Sequence, residues 1–287
     1  MAGFAAGTTT DIVARALGSA MQRQLGQPIV VEPRPGASGA IAASTVIKAP
    51  ADGYTIFFGP VTQLHPIFLA NNPVDAAKDF APISDSLTAP WVLFASGKLP
   101  VNSMQELLAH AKTLPSGALN MARTIPNQDL LMEFVKSATG LTYTSVPFSS
   151  QNQFLPMLIN GEMAFNISLF GNFQSYFSAG TIKPLFVFAA KRSTLHPSVP
   201  TAAEVGIPGV EAALVIGFWA TRGTPRAIID KISGASIAAL SAQEVAELFK
   251  KLGYEPLGSS PDEQLRAYEQ SMKLWTQAAR LGNLKPQ

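Results

Sequence analysis

Apolar positions recur along the chain with two periods, and their alternation sets out the expected fold. Ile12, Val13, Ala16, Leu17, Met21 and Leu25 follow a 3.6-residue period, which predicts a helix stopped by Gly26. "PIVVE" (28–32) reads as a short β-branched strand, "PRPGASG" (33–39) as a turn opening a small-residue helix up to Lys48, and "YTIFFG" (54–59) as a buried strand. This loop–helix–strand–helix–strand order is the rhythm of an α/β sheet.

From Asn71 to Pro100 the chain is loop-rich, with two strand-like runs, "FAPISDSL" (80–87) and "WVLFAS" (91–96). Ser103 and Glu106 have capping-box spacing at the head of a helix running to about Leu114. "GALNMA", "YTSVPF", "MAFNISLF" and "KPLFVFAA" follow as strands, with "DLLMEFVKSATG" a helix closed by Gly140 and short helices between the others. Residues from about 100 to 210 thus repeat the α/β rhythm independently. The tail is helical. Its last helix opens with a capping box, Ser260 to Glu263, and Leu265, Tyr268, Met272, Trp275 and Ala279 fall on one apolar face, which reads as packing.

Composition narrows the classes. The 287 residues, 47% of them hydrophobic, suit two domains of roughly 100–150 residues. Charged residues are 14%, yet no apolar run approaches the roughly 18 residues of a membrane span. The net charge of +2 is spread along the chain, without the basic stripe of a nucleic-acid reader, so no nucleic-acid partner is expected. The absence of cysteine excludes thiol catalysis, cysteine-bound zinc and disulfides.

No GxSxG elbow, phosphate loop or GxGxxG fingerprint is present, and His65, His110 and His196 lie far apart. A metal site, a cofactor and a catalytic residue are therefore not expected, and His110 and His196 read as ordinary surface residues. What remains is the opening loop, "GFAAGTTT" (3–10), which leads into the first helix. Glycine and alanine let a ligand approach the backbone, and free N–H groups at the positive end of the helix dipole seat a carboxylate or phosphate. The competing reading is that Thr10 or Asp11 simply caps the helix.

Several segments together resemble one family, the periplasmic solute-binding components of tripartite tricarboxylate transporters, or Bug proteins. They are "FAAGTTTDIVARAL" (4–17), "VVEPRPGASGAIAA" (30–43), "ADGYTIFFG" (51–59), "DFAPIS" (79–84), "VPF" (146–148), "AAKRSTLHPSVPTAAEVGIPG" (189–209) and "GTP" (223–225), in the family's order and spacing. The resemblance implies an α/β, two-lobed type II periplasmic-binding-protein (Venus flytrap) fold with the ligand in the interlobe cleft. Lobe one would be 1–97 with 215–287 and lobe two 98–214. It further implies a periplasmic, monomeric receptor with a small-molecule carboxylate ligand and the membrane subunits of a transporter as partner. A sensing role, presenting the closed form to a signalling protein, stays open. The family also carries a strand before the first loop and a signal peptide, neither of which is in this sequence, so a trimmed N-terminus is expected.

Carried over residue by residue, the resemblance puts Phe4, Ala6, Thr8, Thr9, Thr10, Asp11 and Thr62 at the ligand in lobe one. In lobe two it puts Arg123, Thr124, Asn127, Phe148, Ser149, Ser168 and Phe170 there. This chain departs from the family's pattern in the pocket. Thr8 replaces a glycine, Asp129 stands near the place of a histidine, Phe148 and Ser149 replace Tyr and Lys, and Ser168 replaces an aspartate. Loss of that negative charge, the guanidinium of Arg123 and the flat surfaces of Phe4, Phe148 and Phe170 favour a dicarboxylate or aromatic carboxylate over an amino acid. The bland alternative for Arg123 is a surface ion pair with Asp129.

Overall fold

The apolar period near the start of the chain produces helix α1 (Thr9–Leu25), which buries Val13, Leu17 and Met21 and closes on Gly26 in the left-handed region at φ 69°. The structure is a computed structural model that describes residues 1–65, 67–68 and 74–283; the start of the expected loop-rich stretch, 71–73, lies outside them. In it, α1 belongs to the first of two compact units, Met1–Thr88 with Leu214–Lys273.

That unit is built on strands β1 (Ile56–Gly59), β7 (Ala213–Thr221) and the first part of β2 (Phe80–Ser96), in the order β1–β7–β2. Strands β1 and β7 are antiparallel, with Phe57 opposite Trp219 and Phe58 opposite Phe218. The two-residue period of the pleat sorts these side chains. Phe58, Ile216, Phe218 and Ala220 pack with α1, α8 (Arg226–Leu240) and α9 (Gln243–Leu252). Phe57 and Trp219 turn the other way, onto α2 (Ala40–Ile47) and Tyr268 of α10 (Pro261–Leu281). Short elements complete the unit: α3 (Ala76–Asp79), and β8 (Glu255–Pro256) paired antiparallel with Leu87 and Thr88.

The second unit is Ala89–Ala213 with residues 274–283. Its sheet runs β6 (Ile182–Val187), β2, β5 (Phe165–Leu169), β3 (Asn120–Arg123) and β4 (Thr144–Pro147). Strand β2 is antiparallel to both β6 and β5, whereas β3 is parallel to β5 and to β4. The C-terminal ends of β5, β3 and β4 therefore share one edge. Helices α4 (Met104–Ala111), α5 (Pro126–Thr139), α6 (Gln151–Asn160) and α7 (Phe170–Ser178) cover the faces. Phe94 forms edge-on contacts with Phe170 and Phe173, centroids 5.9 and 5.0 Å apart, at the centre of a core shared with Phe154, Leu158 and Ile182. Each such buried ring contributes about 1.5–3 kcal/mol.

Several expectations change. The two runs read as separate strands are one 17-residue strand, β2, because Pro90 interrupts the sequence pattern without ending the strand. The units consequently divide at 88/89, inside β2, and at 213/214, and the last turns of α10 group with the second unit; the sequence reading had set 97/98 and 214/215. "PIVVE" is no ladder strand. Ile29 and Val31 pack on the core while Val30 is 76% exposed, but among the described residues no strand pairs with the segment until Pro33, which bridges Ala2. On the last helix, Leu265 is exposed and Gln264 is buried instead.

Candidate functional site

In the first unit, Ala2 forms parallel bridges to both Pro33 and Phe58, so the segments that follow all three leave the sheet at the same edge. One is the opening loop. Gly3 lies so close to Gly39 that a Cβ on it would stand 2.8 Å from the Gly39 Cα, which explains a glycine there. Residues Ala5–Thr9 are exposed. The helix cap is neither Thr10 nor Asp11 but Thr8, whose Oγ1 accepts from the Asp11 N–H at 3.4 Å and donates to the Ala5 carbonyl at 2.8 Å. The Thr8 hydroxyl supplies a cap that a glycine there would lack.

Asp11 works from beneath the loop. Its carboxylate is 3% exposed and accepts from the Gly7 N–H at 3.0 Å and Arg15 Nε at 3.1 Å. The Arg15 guanidinium, then the Gly7 amide, hold the Asp11 carboxyl below its ordinary range. Its Oδ1 is buried and has no partner among the described residues. With Gly7, Thr8, Asp11 and Ile12 amides bonded, those of Ala6, Thr9 and Thr10 have no protein acceptor among the described residues. They stand at the positive end of a 17-residue helix, a seat for an anion. Phe4 is half-buried against the α1 core.

Two further turns belong to this edge. Thr62 lies in the turn Val61–Leu64 after β1, next to the turn Ala37–Gly39. In the latter, Gly36, Ala37, Ser38 and Gly39 all have positive φ, at 125°, 45°, 51° and 94°. Left-handed Ala37 and Ser38 carry backbone strain of the kind that collects at binding sites. The sequence showed only a tight turn here; two glycines bracketing Ala-Ser were the available signal.

In the second unit, the shared C-terminal edge of β5, β3 and β4 gathers Arg123, Thr124, Asn127, Phe148, Ser149 and Ser168. Ligands of parallel sheets bind outside the carboxyl ends of the strands. Arg123 Nε lies 2.8 Å from Asp129 Oδ2 in an ion pair without a hydrogen bond, and Ser145 Oγ donates to Asp129 Oδ1 at 2.6 Å. The pair is not a surface one: the Arg123 and Asp129 side chains are only 25% and 19% exposed. Burial pushes the Asp129 carboxyl up, against the opposing effects of Ser145 and Arg123.

Gln128 fixes the start of α5. Its Oε1 accepts from the Thr124 and Ile125 N–H groups at 2.6 and 3.2 Å, and its Nε2 donates to the Ile167 carbonyl of β5. The Thr124 amide is thus already used. Asn127, 6% exposed, makes no side-chain hydrogen bond among the described residues. The Phe148 N–H donates to the Arg123 carbonyl at 2.8 Å, and its half-buried ring lies 5.8 Å from that of Phe154. The Ser149 N–H donates to Gln153 Oε1, and Ser168 Oγ accepts from Asn172 Nδ2 at 3.0 Å.

Phe170 sits apart from these groups. It is 5% exposed, and its ring stacks on His196 at 4.0 Å, so its surface is committed to packing. His196 is correspondingly no ordinary surface residue: it is half-buried between Phe170 and Phe177, and burial lowers its pKa. His65 is likewise half-buried, its Nδ1 accepting from the Ile67 N–H.

Comparison with known proteins places this arrangement. Residues 13–280 match the model of the tripartite tricarboxylate transporter family receptor. The chain is 29% identical over 281 residues to the protein BugT of Bordetella pertussis, covering 96% of this chain and 86% of BugT. The adipate-bound structure of R. palustris Rpa4515 superimposes with a TM-score of 0.82 at 32% identity, covering 99% and 96% of the two chains. Malate-bound MatC of Rhodopseudomonas palustris does so with a TM-score of 0.76 at 27% identity, covering 96% of each. The fold is thus the two-domain α/β fold of periplasmic binding proteins, and the chain belongs to the Bug family of solute-binding receptors of tripartite tricarboxylate transporters.

Proposed function

We propose that this receptor works outside the cytoplasmic membrane, captures a dicarboxylate and delivers it to the membrane subunits of a tripartite tricarboxylate transporter. The observation that carries the reading is the set of unbonded amides of Ala6, Thr9 and Thr10 at the start of α1, in a chain of this family. They take one carboxylate. In the second unit Arg123, paired with Asp129 but making no side-chain hydrogen bond among the described residues, is a further group able to take a carboxylate. Relatives bound to adipate and to malate support a ligand of this class. Phe4 in the first unit and Phe148 in the second are half-buried rings that offer apolar surface near these groups within each unit.

A thermal-shift screen against succinate, malate, adipate, phthalate, citrate and free amino acids tests the reading. At a hundredfold excess over Kd a ligand stabilises by about 2.7 kcal/mol, or roughly 5–10 °C in a protein of this size. Replacing Thr9 and Thr10 with leucine should abolish the dicarboxylate response, and Arg123→Ala should weaken binding roughly tenfold, about 1.4 kcal/mol. A folded wild type that responds to none of the acids, or only to amino acids, refutes the proposal.

A further inference from the structure

The opening loop lies on the surface of the first unit, and one buried side chain ties it to the helix beneath; the inference drawn from this deepens the proposed function and rests on it. Ala5–Thr9 are all exposed, so packing contributes little to the order of their backbone. A loop left free would have to be ordered by the ligand, at a cost in affinity. Hydrogen bonds order it instead. Thr8 is fixed as the cap of α1, and its N–H and Oγ1 both donate to the Ala5 carbonyl, at 3.3 and 2.8 Å, which closes a local turn. Inside that turn, the Gly7 N–H donates to Asp11 Oδ2 at 3.0 Å, the one bond of the turn that runs to a buried side chain.

The position of this bond is unusual for a helix start. An acidic residue three places after the cap commonly accepts from the N–H of the cap residue itself. Asp11 has that spacing from Thr8, yet the Thr8 N–H goes to Ala5 and Asp11 accepts from Gly7, one residue earlier. Gly7 is left-handed, at φ 78°, and nothing stands within 4 Å of where a Cβ would be, so the backbone conformation and not crowding calls for glycine. With the Gly7 N–H drawn down to Asp11, the N–H groups of Ala6, Thr9 and Thr10 keep no acceptor among the described residues.

By charge alone, Asp11 is a poor neighbour for an anion. It puts a carboxylate in the first turn, and Arg15 Nε, at 3.1 Å, offsets that charge from a half-exposed side chain. Its Oδ1 is buried without a partner among the described residues, which costs stability. Neither attraction for an anion nor its own satisfaction accounts for Asp11, whereas its hold on Gly7 does.

We infer that Asp11 is a positioning residue: by holding the Gly7 N–H from beneath, it keeps the opening loop in the shape that presents the Ala6, Thr9 and Thr10 amides to a ligand carboxylate. Asp11 touches the loop and Arg15, not the ligand.

Titration calorimetry with adipate and with malate on wild type, Asp11→Asn, Asp11→Glu and Asp11→Ala tests the inference. Asparagine keeps an oxygen for the Gly7 N–H and sheds a charge whose effect at an exposed loop is screened by salt, so Asp11→Asn should bind within about threefold of wild type or more tightly. Asp11→Glu keeps the charge but moves the carboxylate by one methylene. Asp11→Ala sheds the charge and frees Gly7. Both should bind roughly tenfold more weakly, the scale of one lost charge-assisted hydrogen bond. Hydrogen exchange at the Gly7 amide should quicken in the glutamate and alanine variants and stay near wild type in Asp11→Asn. Circular dichroism and melting curves establish that each variant is folded. Should Asp11→Ala fail to fold, the asparagine and glutamate variants decide, because one keeps the reach without the charge and the other the charge without the reach.

If folded Asp11→Ala or Asp11→Glu binds as tightly as wild type, or Asp11→Asn loses as much as Asp11→Ala, the hold on Gly7 does not set affinity and the inference falls while the dicarboxylate reading stands. If the wild type binds neither acid, the proposed function falls and this inference with it.

Discussion

Asp85 is the most sharply testable group outside the candidate site. It sits on β2, 5% exposed, and Gln264 Nε2 of α10 donates to its Oδ1 at 2.9 Å. Burial pushes its pKa up from 3.8 to about 6, with the Gln264 bond opposing. No cation is paired with it among the described residues. In the unfolded chain the same carboxyl titrates near its ordinary value. Between pH 4 and 6 the folded state therefore binds more protons than the unfolded one, so stability falls as pH rises through that window. Above about 6 the full cost of the ionised buried group is present, on the order of 3 kcal/mol from the displacement of its pKa.

Asp85→Asn removes the charge and keeps an oxygen for Gln264. At pH 7.5 it should raise stability by up to about 3 kcal/mol, roughly 6–10 °C in Tm. At pH 4 the wild-type carboxyl is largely protonated in the native state, and the advantage should nearly vanish. Urea unfolding of both proteins at half-unit steps from pH 4 to 7.5 measures this. Other titrating groups cancel in the difference between the two curves. A difference that stays flat with pH would mean that Asp85 ionises alike in folded and unfolded chains, and the burial argument would be refuted.

Gly217→Ala should destabilise by about 1–3 kcal/mol, because its Cβ would stand 2.6 Å from the Ser84 carbonyl and 2.7 Å from both Asp85 Oδ1 and Gln264 Nε2; chemical denaturation reads the loss. Thr8→Ala removes the cap of α1 and should cost about 1 kcal/mol, and loosening of the loop should weaken dicarboxylate binding in calorimetry. Gly3→Ala should weaken that binding more than Thr8→Ala. Its Cβ would press on the Gly39 backbone and shift two turns of the edge together.

What could be read from the sequence follows from where each signal originates. Helix α1 and the capping box of α10 were legible because their determinants are local: a 3.6-residue period, and a serine and glutamate three apart that bond each other's amides in the structure. The free amides of the opening loop were legible because small residues ahead of a helix leave them unbonded. Its cap was misassigned because three successive threonines offer three candidates, and only the bond from the Asp11 amide to Thr8 distinguishes them. Leu265 was placed on the buried face for its apolarity, yet Gln264 occupies that face, because Asp85 and the Phe218 carbonyl give its amide acceptors there. Strand β7, in the middle of its sheet, went unread as a strand, since "ALVIGFWAT" has no polar alternation and a glycine in its centre. Phe170 was assigned to the ligand from its neighbours in sequence, but its ring is claimed by His196, 26 residues downstream.

The Arg123–Asp129 pair shows the same boundary from the other side. Sequence offered two exclusive readings, a ligand contact or an ion pair, because spacing alone cannot say how much of a guanidinium one carboxylate consumes. The geometry makes them compatible. Asp129 Oδ2 stands 2.8 Å from Arg123 Nε without taking a hydrogen bond from it, so the ion pair leaves the N–H donors of the guanidinium for a carboxylate. A residue satisfied by its neighbour and a residue available to a ligand are alternatives only when the side chain has a single bonding edge, and arginine has more than one.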